Sequence, residues 1–181
     1  MTTHTTGGLG ALFGGFRARR EPPETVSHVD LDRLLGTWFE VARLPSLESD
    51  APWQRSVNVT ATYAKRADGP VTVQTVAYNA KARMRRNEVN GTVHPADATG
   101  AKLILRFYKL IRGDLWVIGL DPDYRWALMG TPSRKRLWLI ARAPRIEPVD
   151  FERAMAIAAA QGYDSAAVVP TQQEALTPGL G

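Results

Sequence analysis

The sequence predicts an all-β domain of eight short antiparallel strands, closed as a barrel or stacked as a sandwich, with one amphipathic helix after the last strand. Three observations predict it. A run of strand-like segments rich in Val, Thr, Tyr and Leu is punctuated at close spacing by Gly, Pro, Asp and basic turns. The two-residue period gives way to a helical one only after residue 147. The first strand, within "LGTWFEVARLP" at 35–45, is apolar on both faces, with Trp38, Glu40 and Ala42 on one side and Phe39, Val41 and Arg43 on the other.

The remaining elements follow in order. "SVNVTATYA" (56–64) and "VTVQTVAYN" (71–79) alternate across the turn "KRADGP". "NEVNGTV" (87–93), "AKLILRFY" (101–108), "LWVIGL" (115–120), "RWALMG" (125–130) and "RLWLIAR" (136–142) complete the strands. In "PVDFERAMAIAAAQGYD", Phe151, Ala154, Met155, Ala158 and Ala159 recur at helical spacing, with Pro148 and Asp150 suited to the start and Gly162 to the stop. The organisation reads as a flexible leader over 1–27, a barrel with its helix over 28–170, and a loose tail over 171–181.

Composition narrows the function classes. A chain of 181 residues with 44% hydrophobic and 23% charged residues suits one globular domain. It has no cysteine, which excludes disulfides, thiolate metal sites and a cysteine-based catalytic centre. The formal charge of +5 favours acidic partners. The Gly-rich start carries its arginines after the apolar residues, the reverse of a secretory signal. It reads as a leader, with a weak amphipathic membrane contact through Leu9, Leu12, Phe13 and Phe16 as the alternative. His4, His28 and His94 are too scattered to form a metal set, so no metal and no cofactor is expected. Neither a G-x-S-x-G elbow nor a P-loop is present, and no enzymatic activity is expected.

Three motifs in order carry a resemblance: "GTWFEVARLP", "IGLDPDYRWAL" (118–128) and "LWLIARAP" (137–144). From about Val29 to Gln173 the chain resembles a lipocalin, of the bacterial outer-membrane type related to apolipoprotein D. The resemblance implies an eight-stranded antiparallel up-and-down barrel with the C-terminal helix packed on its wall. It implies a structural role for Gly36, Trp38 and Arg142, with the arginine packed across the indole at the closed end. It implies a role in carrying, storing or salvaging membrane lipids, and it is compatible with a homodimer formed through the rim. Members of this type are commonly anchored at the cell envelope through an N-terminal lipid. Without the anchoring cysteine, a cytoplasmic protein or one exported by another route is equally compatible.

In such a barrel every strand has an inside and an outside. Alternation from Trp38, with the family's register on the other strands, assigns the interior to Glu40, Ala42, Ala61, Tyr63, Val73, Thr75, Gly91, Leu103, Leu105, Phe107, Trp116, Ile118, Met129, Trp138 and Ile140. This lining suits a fatty acid, lysophospholipid or similar amphiphile. The small residues Ala42, Ala61, Thr75 and Gly91 are expected to leave room for it. Glu40 is the exception: buried alone it is costly or protonated, so Tyr63, a ligand hydroxyl or cavity water is the expected partner. The loops expected at the mouth carry Arg55, Lys81, Arg83, Arg85, Arg86, Lys109, Arg112, Arg134, Lys135 and Arg136 against Glu48, Asp50, Glu88 and Asp114. Such a rim suits the anionic end of an amphiphile or an acidic membrane surface. Nucleic acid fits less well, because no stacking platform or reading helix accompanies the basic runs. An enzyme working through Glu40 and Tyr63 is the remaining alternative.

Overall fold

Strands whose two faces are both apolar need cover on both sides, and closing the sheet on itself while docking a helix outside provides it. The computed structural model describes residues 21–65, 67, 69–107 and 111–173. The expectations for residues 1–20, Lys109 and residues 174–181 lie outside these. The strands are β1 (Gly36–Arg43), β2 (Ser56–Lys65), β3 (Val71–Asn79), β4 (Arg85–Pro95), β5 (Lys102–Phe107), β6 (Ile111–Leu120), β7 (Trp126–Gly130) and β8 (Leu137–Ala141). Each pairs antiparallel with the next, and β8 and β2 both pair with β1, closing an up-and-down barrel. Short helices α1 (Leu31–Leu34) and α2 (Leu47–Asp50) flank β1, and α3 (Pro148–Ala160) follows β8.

Two apolar clusters match the two faces. The inner one holds Trp38, Tyr63, Val73, Val93, Leu103, Leu115, Val117, Ala127, Met129 and Ile140, continued below by Val29, Leu34 and Tyr124. The outer one lies where α3 meets the wall and holds Val41, Trp126, Leu128, Leu137 and Leu139 with Ala154 and Ala158 of the helix. Both alanines are fully buried, so the helix lies close against the strands. Pro148 opens α3 at a position where its missing N–H costs nothing, and Asp150 in the first turn complements the helix dipole.

The closed end is built around Trp38, which has no exposed surface. Its indole N–H donates to the Leu34 carbonyl (2.8 Å), fastening α1 across the base. The Arg142 guanidinium lies 3.8 Å from the Trp38 ring centroid and donates to the carbonyls of Thr37 (3.2 Å) and Arg33 (2.6 Å). Gly36 adopts φ +95°, and a Cβ there would stand 3.3 Å from an Arg142 nitrogen, so glycine satisfies both the backbone and the packing. Opposite, Asp121 accepts from the backbone N–H groups of Asp123 and Arg125 and from the Arg125 side chain, which fixes the β6–β7 turn. That turn presents Tyr124, whose hydroxyl accepts from the Asp30 N–H (2.8 Å).

Both ends of the barrel domain differ from expectation. Residues 21–27, read as part of the leader, run against the wall: Glu21 O accepts from Arg134, Glu24 N donates to Gln161, and Val26 N donates to Val117 O. Residues 171–173, read as loose tail, are also held. A two-residue strand β9 (Val169–Pro170) pairs with Ala42 and Arg43. Thr171 N then donates to Val41 O, and Asn58 N donates to Gln172 O. The segment fills the seam where β1 and β2, paired only from Gly36 to Phe39 on the β1 side, diverge.

Trp38→Ala should lower unfolding free energy by about 3–5 kcal/mol, the range for removing a large buried aromatic side chain. Arg142→Ala should cost less, about 1–3 kcal/mol, for one cation–π contact and two hydrogen bonds. Urea unfolding followed by near-ultraviolet circular dichroism measures both, and equal losses would show that the guanidinium does more than cap the ring.

Candidate ligand-binding cup

The interior is set by register, which shifts at three bulges, in β1, β2 and β6; those in β1 and β6 alter the lining that strict alternation predicts. In β1, Glu40 pairs with Ile140 and Ala42 with Leu139, so one residue is inserted and the parity flips above it. Ala42, expected inside, therefore lies in the outer cluster, and Arg43, expected outside, sits opposite inward-facing Trp138. In β6, Val117 pairs with Met129 and Gly119 with Leu128, again with one residue inserted. Counting back by twos from inward Leu120 gives Ile118 and Trp116, but the bulge hands those positions to Val117 and Leu115. Trp116 and Ile118 belong to the outer cluster, with Lys102 Nζ 4.9 Å from the Trp116 ring centroid.

Of the other predicted lining residues, Tyr63, Val73, Leu103, Met129 and Ile140 are in the inner cluster, and Ala61, Leu105, Phe107 and Trp138 pack against it. Thr75 faces inward opposite Ala61. Gly91 holds its place for a different reason from the one expected. A Cβ there would meet the Phe107 ring and the Arg106 carbonyl at 2.8 Å, so the glycine makes room for Phe107. Burial grades along the axis. At the base, Trp38, Leu103, Val117 and Ala127 are fully buried. Higher up, Ala61, Thr75, Leu105, Phe107 and Trp138 are half-buried, and toward the open end Val89 is 38% and Ile111 59% exposed.

Glu40 has a partner that the sequence reading missed. Arg43, only 3% exposed, donates to Glu40 Oε1 (2.8 Å) and to Thr171 Oγ1 (2.8 Å). It also forms a two-pronged contact with Asp50 of α2 (2.8 and 2.6 Å) and donates to the Ser56 carbonyl (3.0 Å). The Thr171 hydroxyl donates to the same Glu40 oxygen (2.7 Å). The expected pairing of Glu40 with Tyr63 is not made, since Tyr63 lies at the base opposite Gly36. The enzyme alternative through those two residues loses its geometry. Burial pushes the Glu40 carboxyl above its ordinary range despite Arg43 and Thr171. Burial acts the same way on Asp50, but the Arg43 contact, Ser49 and the Ser46 backbone overcome it and hold that carboxyl low. Burial pushes the Tyr63 phenol up to about 12. The one clue in the sequence is the spacing: Glu40 and Arg43, three apart on a strand, meet on one face only if a residue is inserted between them.

In the up-and-down order the connections after β1, β3 and β7 and the start of β6 lie at the end of the barrel opposite the Arg142 base. Arg55, Lys81, Arg83, Arg85, Arg112 and Lys135 are exposed there and have no acidic partner among the described residues. Three predicted rim cations are engaged otherwise. Arg134 donates to the carbonyls of Gln161 (2.6 Å) and Glu21 (2.7 Å), tying the helix end to the N-terminal segment. Arg136 pairs with Glu48 (2.6 Å), and that hydrogen bond holds the Glu48 carboxyl down to about 2. Arg86 pairs with Glu88.

A concavity of about 910 Å³ lies on the outer face of β2–β5, where Thr62, Ala64, Pro70, Gln74, Thr92 and Arg106 are among its lining. His94, also on this face, is hydrogen-bond distance from Thr92 (3.0 Å). No cluster of His, Asp or Glu able to hold a metal occurs among the described residues.

Comparison with known proteins agrees with this architecture. The lipocalin-like domain model matches residues 29–173. The outer membrane lipoprotein Blc of Escherichia coli K12 is 34% identical over 149 residues, 82% of this chain and 81% of its own. Temperature-induced lipocalin-1 of Arabidopsis thaliana is 30% identical over 164 residues, 86% of this chain and 85% of its own. Among solved structures, the cockroach allergen Per a 4 superposes with a TM-score of 0.65 at 18% identity, over 82% of this chain and 90% of its own, a likeness of fold.

Asp50→Asn should cost about 2 kcal/mol near neutral pH, the scale of a hydrogen bond to a charged group. Because the folded-state pKa of Asp50 is depressed, its stabilisation is complete above the unfolded value and disappears as pH falls below about 4. The variant's stability should therefore vary less across that acidic window, which thermal unfolding at stepped pH measures directly.

Proposed function

This chain belongs to the lipocalin family, whose members generally bind small hydrophobic ligands, and on that premise we propose that its barrel carries or stores an amphiphile with an apolar tail and an anionic end. The observation that carries the reading is the gradient of inward burial. A sealed base gives way to Leu105, Phe107, Trp138, Val89 and Ile111, inward-facing apolar surface that remains accessible toward the mouth. Covering such surface with an acyl chain gains roughly 0.8 kcal/mol per methylene, so a dozen offset association costs and still give micromolar binding. The exposed cations Arg55, Lys81, Arg83, Arg85 and Arg112 face the end from which a headgroup would project. Carriage without chemistry fits a cup whose buried carboxylate is already committed to Arg43 and Thr171.

Native mass spectrometry of the protein purified from its own source should reveal co-purified lipid. Displacement of a fluorescent fatty-acid probe then tests the location. Ala61→Trp, which fills the half-open interior beside Thr75, should weaken the probe by about tenfold, some 1.4 kcal/mol. Trp116→Ala, on the outer wall, should change it by less than about twofold, roughly 0.4 kcal/mol; the reverse pattern refutes the interior site. Replacing Arg83, Arg85 and Arg86 together by Glu should weaken anionic ligands by about tenfold or more while sparing an uncharged analogue. Equal losses for the two ligands would remove the headgroup assignment.

A further inference from the structure

Among the described residues six large apolar side chains are prominently exposed, and five of them lie toward the open end: Leu47, Trp53, Met84, Val89 and Ile111. Val89 lines the mouth. Leu47 (77% exposed) and Trp53 (70%) project from the β1–β2 connection and Met84 from the β3–β4 connection, while Ile111 (59%) opens β6 opposite inward-facing Phe107. Large apolar side chains on a slack loop would fold down over the greasy interior beside them. Here the framework holds them out. α2, which bears Leu47, is pinned at Asp50 to buried Arg43 and at Glu48 to Arg136. The carbonyl of Trp53 accepts from the Asn79 side chain (3.3 Å), which also accepts from Arg55 N (3.2 Å). Met84 follows Arg83 in a turn where both residues have positive φ (50° and 58°).

The same end carries the unpaired cations. Glu48, Asp50 and Glu88 are each already bound to an arginine and Asp114 is in no ion pair, so Arg55, Lys81, Arg83, Arg85, Arg112 and Lys135 outnumber the one uncommitted acid of this end and form no ion pair among the described residues. A ring of exposed Trp, Leu and Met interleaved with Arg and Lys has the chemistry of the bilayer interface, where an indole and short apolar tips enter the headgroup layer and cations meet lipid phosphates. We propose that the open end is a docking face for an anionic lipid bilayer, with Leu47, Trp53 and Met84 entering the interface. The mouth then opens onto the leaflet, and an amphiphile passes between bilayer and barrel without crossing water. The docking face itself stands independently of the cup's ligand.

The test uses the full chain and two vesicle populations, phosphatidylcholine alone and phosphatidylcholine mixed with phosphatidylglycerol, in a sedimentation assay. The protein should bind the anionic vesicles at least about tenfold better than the neutral ones. Leu47→Ser combined with Trp53→Ser should reduce that binding about tenfold, whereas Trp53→Phe keeps it within about threefold. Bromine-labelled lipids should quench tryptophan fluorescence in the parent protein and less in Trp53→Phe. The serine pair should bind a monomeric fatty-acid probe normally, which shows that it folds and that the cup is intact. Vesicle binding that survives the serine pair overturns the proposal and points to a purely electrostatic contact. A dimer that dissolves in the serine pair, with no vesicle binding in the parent, overturns it in favour of a second copy on this face. Vesicle binding without probe binding in the parent protein upholds the docking face and refutes the cup.

Discussion

The Arg142 guanidinium over the Trp38 ring is the contact on which the polarity of the barrel depends. An eight-stranded barrel has two mouths, and a one-ended vessel requires that one be shut without polar groups stranded inside. The indole fills the base, its single N–H is used on the Leu34 carbonyl, and the arginine covers the outer face while satisfying two carbonyls of the neighbouring backbone. The charge remains at the surface, so closure avoids burying an ion. Tyr124 and the Asp121 turn complete the lower side with the same economy, each polar atom matched to backbone or to a neighbouring arginine.

The upper half is organised by the opposite choice, a guanidinium inside the protein. Arg43 is fully desolvated, and the structure balances it with Asp50, Glu40, Thr171 and the Ser56 carbonyl. These partners come from α2, β1, β2 and the segment after β9, so one side chain joins the lip loop, the wall and the C-terminal segment. A buried ion of this kind contributes little net stability, because desolvation offsets attraction. What it does contribute is a fixed geometry for the loop that carries Leu47.

The architecture was legible because strand period, turn chemistry and the change to helical spacing pointed the same way, and "VTVQTVAYN" reads as a strand with the same limits in sequence and structure. The base was legible for a different reason: Gly36, Trp38 and Arg142 stand in motifs whose resemblance assigned their contact. What alternation could not supply was parity beyond an inserted residue. The bulges near Val41 and Ile118 leave no mark in composition, and each moves the residues on one side of it to the other face; Ala42, Trp116 and Ile118 were misplaced for that reason. The partner of Glu40 followed from the same error, since Arg43 was assigned to the outside. The grip on residues 171–173 was invisible because it is made with residues 114 to 133 positions away in the chain.

That grip bears on how the barrel is made. β1 emerges early, and its upper half cannot acquire its missing neighbour until residues 169–173 have left the ribosome, since Ala42, Arg43 and the Val41 carbonyl pair with them. Until then the nascent chain carries an unzipped slit beside a strand of exposed amides, the sort of edge that invites pairing with another molecule. Gln173 closes it by donating to the carbonyls of Glu40 and Val59 on either bank. Completion of the cylinder therefore waits until residues 169–173 have been made, and molecules stalled before that point are staves without their last hoop.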